Sequence, residues 1–75
     1  MRSVAVLSLA GLVPGPVRVG FYDVAGRELK TMELVATRQS DRLTSTVNLT
    51  DLPRGVLLVS VRQADRMRTI KLIRP

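Results

Sequence analysis

The feature that most limits what this chain can fold into is the spacing of its turn signals. Pro14-Gly15-Pro16, Asp23-Val24-Ala25-Gly26, the polar stretch Thr37 to Arg42, Asp51-Leu52-Pro53-Arg54-Gly55 and Ala64-Asp65-Arg66 cut it into short segments, too short for stable helices but suited to strands. Within them the side chains alternate. Val17, Val19 and Phe21 interleave with Arg18, Gly20 and Tyr22, and Leu43, Ser45, Val47 and Leu49 with Thr44, Thr46, Asn48 and Thr50. In the last segment Ile70 and Leu72 share one face while Met67, Thr69, Lys71 and Ile73 share the other. A period of two buries one row and solvates the other, which is the pattern of a β-strand. No window holds apolar residues at i, i+3, i+4 and i+7 without a turn signal, so no helix is predicted. The fold class is all-β, a sandwich or barrel.

Two segments depart from simple alternation. From Arg27 to Ala36, Leu29 has one parity and Met32 with Leu34 the other; a β-bulge near Lys30 or Thr31 is expected to reconcile them. Val56 to Val61 is apolar except for Ser60, which predicts a central strand buried on both faces. At the N-terminus, Met1-Arg2 followed by the apolar run Val4 to Val13 has the charge and length of a signal peptide. Pro14-Gly15-Pro16 is turn chemistry rather than a small-residue cleavage site, so the run is read as the first strand. No segment approaches the roughly 18 apolar residues of a membrane-spanning helix.

With 75 residues and 45% of them hydrophobic, the chain is a single domain with one thin core. Histidine and cysteine are both absent. That removes the commonest general base, the commonest metal ligands and the imidazole-dependent nucleophile triads. Asp23, Asp51 and Asp65 stand at turns, where a carboxylate bonds nearby backbone amides. Glu28 and Glu33 lie at odd separation on one strand, hence on opposite faces unless a bulge realigns them, and make a poor acid/base pair. The glycines match no phosphate-binding loop. No catalytic, cofactor-binding or metal-ligating residue is identified. Twelve Lys and Arg against six Asp and Glu give a formal charge of +6, which favours anionic partners. The basic residues are dispersed along the chain, and Phe21 and Tyr22 are the only aromatics; on opposite strand faces they make no stacking platform, so nucleic-acid binding is not expected.

Three blocks then stand in order: Val17 to Leu29 with Tyr22-Asp23 and Gly26, Val47 to Val61 with Leu52 and Gly55 ahead of the apolar strand, and Thr69-Ile70-Lys71-Leu72-Ile73 near the end. Together they resemble a type IX (Por) secretion C-terminal sorting domain of type A, an Ig-like antiparallel β-sandwich of about six to seven strands. In that family a strand ending in Tyr-Asp, two residues and Gly is followed by a Leu-x-x-Gly turn opening an apolar strand, and the chain closes on a Lys-containing apolar strand. Leu57 stands where the family usually has Tyr, and the family's opening Asn-Pro is missing before Val4. Residues 1–75 are thus expected to be one such domain with a shortened N-terminal edge.

The resemblance implies a non-catalytic tag that directs a covalently attached N-terminal cargo across the outer membrane of Bacteroidetes-type bacteria to the cell surface. Its partners would be the type IX outer-membrane translocon, its shuttle and sortase proteins. The strand from Thr69 through Ile70, Lys71, Leu72 and Ile73 to Arg74 is expected to be the part recognised, because an edge strand offers free amides and carbonyls for β-addition. Lys71 and Arg74 would add charge complementarity. An edge lysine that blocks aggregation explains Lys71 equally well. The alternative is an Ig-like accessory module similar to that of flagellar hook-capping proteins, which shares the strand ending in Tyr-Asp. A free-standing basic binding protein is a third reading, and exposed edges also raise the expectation of a homodimer.

Overall fold

The computed structural model describes residues 4–39 and 42–74. Met1 to Ser3, with the charged start of the signal-like run, lie outside the described residues, as do Ser40 and Asp41 of the polar loop and Pro75. Six strands follow one another: β1 (Val4–Leu9), β2 (Gly15–Tyr22), β3 (Glu28–Ala36), β4 (Leu43–Asn48), β5 (Gly55–Gln63) and β6 (Arg66–Arg74). β1 pairs with β4 in a two-stranded antiparallel sheet, and the other strands form a four-stranded antiparallel sheet in the order β3-β2-β5-β6. This is a small all-β sandwich, as the alternation and turn spacing predict.

The core lies between the sheets, where the buried parity of each strand points. β2 contributes Val17, Val19 and Phe21, and β5 contributes Leu57, Val59 and Val61. These rows meet across the sheet, Val19 opposite Val61 and Phe21 opposite Val59. The smaller sheet adds Leu9 and Val47, and the β4–β5 connection adds Leu49 and Leu52. Phe21 and Leu57 are the largest fully buried side chains, each worth about 1.5–3 kcal/mol of burial. In so small a domain those residues decide whether the chain folds.

The predicted bulge exists, one residue earlier than expected. Phe21 pairs with Lys30 but Tyr22 pairs with Glu28, so Leu29 is the extra residue and packs half-buried against the core. It also realigns the carboxylates. Glu28 opposes Tyr22 and Glu33 opposes Arg18 on the same outer face, but four residues of strand hold them about 13 Å apart along it, too far to act as a pair.

Three further expectations are corrected. β5 is central, yet it is buried on one face only: Val56 is 37% exposed and Leu58 and Ser60 are half-buried. Among the described residues no layer covers the outer face of its sheet, so its outward apolar residues see solvent. Gly15 and Pro16 belong to β2 rather than to a turn. Pro16 is tolerated because it pairs only with Val35 of β3, the β5 pairing beginning at Arg18. The last strand opens at Arg66, so the turn before it is the pair Ala64-Asp65 between Gln63 and Arg66. Ala64 has φ 54°, a conformation that glycine adopts more cheaply.

Candidate recognition edge

β6 forms one border of the four-stranded sheet and pairs only with β5. Its register places Val59 opposite Ile70, Leu57 opposite Leu72 and Gly55 opposite Arg74, so these residues share the inward parity of the core. Thr69, Lys71 and Ile73 point outward. Thr69, Ile70, Lys71 and Ile73 are all exposed, while Leu72 and Arg74 are half-buried. The six residues singled out from sequence therefore do lie on one edge strand, divided equally between its faces. Among the described residues, one side of its backbone has no neighbouring strand.

Folding places one locally basic segment of the sequence on this border. β6 carries Arg66, Arg68, Lys71 and Arg74 and no acidic residue. On the outer face Arg62 of β5 opposes Met67, its Nε donating to the Met67 Sδ at 3.4 Å, and Arg62 also opposes Arg18 of β2. Among the described residues no group of three or more carboxylates could hold a metal ion. The acidic side chains of the described residues lie on β3 or in turns: Glu28 accepts from Thr31 Oγ1 at 2.5 Å and from Tyr22 Oη at 3.4 Å.

Tyr22, Asp23, Gly26, Leu52 and Gly55 do not form a site. They build the connections that hold β2, β3 and β5 in register. Asp23 Oδ1 accepts from the backbone amides of Ala25 and Arg27 at 3.0 and 2.9 Å, and Oδ2 accepts from Arg27 Nε at 3.0 Å. The Arg27 amide above all, with its guanidinium and the Ala25 amide adding to it, holds the Asp23 carboxyl below its ordinary value of 3.8. The Gly26 amide closes the turn on the Asp23 carbonyl, at φ 89°. In the second connection Leu52 is buried and its amide bonds the Leu49 carbonyl at 3.0 Å, while Gly55 enters β5 at φ 108°. The expected amide-bonding role of Asp51 falls instead to Asn48, whose Oδ1 accepts from the Thr50 amide. Asp51 faces Lys30 Nζ at 3.8 Å, and the same ammonium donates to the Asn48 carbonyl, joining the two sheets. Asp65 occupies its turn without a hydrogen bond to a neighbouring amide.

Gln63 was not singled out from sequence. It is 9% exposed, and its side chain mimics a strand backbone: Oε1 accepts from the Val13 amide at 2.9 Å and Nε2 donates to the Val13 carbonyl at 2.6 Å. The β1–β2 connection is thereby fastened to the end of β5. Its signal is parity, since Gln63 continues the buried row Leu57, Val59, Val61 and a polar residue there needs partners.

Compared with known proteins, the chain matches no family model, no curated protein and no solved structure.

Proposed function

We propose that this domain is a non-catalytic sorting tag of the type IX kind, recognised through β6 and carried at the end of an exported cargo protein. The observation that carries the reading is the character of β6: nine residues long, at the border of the larger sheet, with four cationic side chains and no acidic one. A partner strand can pair with such an edge through the backbone while its acidic groups meet Lys71 and Arg74. The sequence blocks that resemble the sorting family support it further. They occupy the β2–β3 turn, the β4–β5 turn and the last strand, the places where a sandwich needs those residue types.

On this reading the shuttle and translocon proteins of the outer membrane read the tag, and a sortase removes it at the surface, so the chemistry belongs to the partner. The test is to fuse the chain to the C-terminus of a periplasm-directed reporter in a type IX secreting bacterium, with and without Thr69 to Pro75. Surface delivery of the full fusion and its loss on truncation is the expected result. A full-length fusion that stays in the periplasm overturns the proposal in favour of the Ig-like accessory module.

A further inference from the structure

The two sheets are unequal, four strands against two, and the imbalance leaves one side of the sandwich open. Lys30 of β3 reaches the Asn48 carbonyl at the end of β4, which sets β4 over the β3 side. Arg68 Nη1 of β6 donates to the Ala10 carbonyl just after β1 at 3.1 Å, which sets β1 over the β5–β6 side. The inward row of β6 (Arg66, Arg68, Ile70, Leu72, Arg74) therefore runs along and beyond the free edge of β1. Exposure records the missing cover. Val59 is 1% exposed, whereas Ile70, its partner on the same face of the same sheet, is 37% exposed. A small cleft between Leu9, Gly11 and Leu12 on one side and Arg66 and Arg68 on the other marks the near end of this groove.

The free edge of β1 adds a second observation. Val4–Leu9 reads VAVLSL, with no charge and no proline, and its register with β4 runs without a bulge. Edges left to solvent are usually blunted by just those devices. β6 has charge, with four cationic side chains, whereas β1 has none of these devices. A third observation concerns charge. The groove floor carries three arginines and no carboxylate, and the Nε of Arg74 is buried without a hydrogen-bond partner among the described residues, a cost that an incoming acceptor removes.

We propose that β1 and the inward row of β6 form a docking groove for an extended acidic segment of another protein. The segment adds to the smaller sheet as a third strand beside β1. Its inward side chains are apolar over Ile70 and Leu72 and carboxylate at the two ends, toward Arg66 and Arg68 and toward Arg74. A second copy of the chain is the poorer occupant: it carries +6, and its own β1 has no carboxylate to meet the arginines. The groove is distinct from the outer edge of β6, and the inference stands whether or not that edge is read during export.

The test uses the whole chain, 15N-labelled, titrated with a synthetic peptide of about seven residues that alternates threonine with an inward row Glu, Val, Val, Glu. A control peptide replaces both glutamates by lysine. The acidic peptide is expected to bind, to shift and protect β1 amides from exchange, and to leave β3 amides unchanged. Arg66→Gln, an exposed position outside the core, is expected to weaken binding roughly twofold to fivefold. Equal binding of the lysine peptide, protection confined to β6, or no binding overturns the proposal. A dimer that protects β1 without peptide overturns it in favour of a second copy.

Discussion

At the scale of single residues, two backbone and two side-chain features lead to measurable outcomes. Ala64 holds φ 54° in a two-residue hairpin, where a Cβ is penalised and glycine is not. Ala64→Gly is expected to stabilise the domain by about 1 kcal/mol, read as a higher urea midpoint with an unchanged slope; a lower midpoint would show that the position carries no strain. Asp23 makes stability depend on acid. Its carboxyl lies below 3.8 when folded, so its contribution is present above that ordinary value and is lost as pH falls through the lower folded one. Urea midpoints measured from about pH 6 down to about pH 2 are expected to fall less steeply at the acid end for Asp23→Asn than for the natural chain. Gln63→Leu removes both bonds to Val13 and leaves a half-covered amide and carbonyl unpaired, a loss of about 2–3 kcal/mol. Gly20 illustrates a contact read from space: a Cβ there would come within 2.9 Å of the Tyr22 ring, so Gly20→Ala is expected to swing that ring aside. The change is visible in the emission of the single tyrosine.

At the scale of elements, β2, β4 and β5 were legible because an apolar row of each faces the core, and the polar residue that ends the row of β5, Gln63, is satisfied by Val13. β2 and β4 follow the alternation closely, and the parity of Ile70 and Leu72 against Thr69 and Lys71 was correct along β6. β3 was legible as a conflict between Leu29 and Met32, but not the site of its resolution, since a bulge at Leu29 or at the next residues satisfies the same parity requirement. The bulge at Leu29 has a testable consequence. Deleting Leu29 joins Glu28 to Lys30 with the outward and inward faces of both unchanged, so the fold is expected to survive at a cost of about 1–2 kcal/mol for the lost apolar burial. Loss of cooperative unfolding in that variant would place the bulge elsewhere. The expectation that β5 is covered on both faces failed because a continuous apolar run reports low polarity but not how many layers lie above it. The number of strands in each sheet is a long-range property. The two-against-four division, and with it the exposure of Ile70, has no local signature.

At the scale of the molecule, one thin core supports three exposed features: a cationic edge at β6, an uncharged edge at β1, and an outer face of the larger sheet that no layer of the described residues covers. Leu57 lies at the centre of that core, 1% exposed, so Leu57→Ala is expected to cost about 2–5 kcal/mol and to leave little of the stability a domain this small possesses. The border of the larger sheet is locally basic, because β6 carries four cations and no anion. Function is proposed to reside there. The most direct measurement is surface delivery of a reporter bearing this domain in a type IX secreting bacterium, comparing Lys71→Glu on the outward face of β6 with Thr46→Glu on the outward face of the opposite sheet. Both positions are exposed and outside the core. The account predicts that Lys71→Glu lowers delivery severalfold while Thr46→Glu leaves it at the natural level; equal delivery by both variants, or loss with Thr46→Glu alone, would contradict recognition through β6.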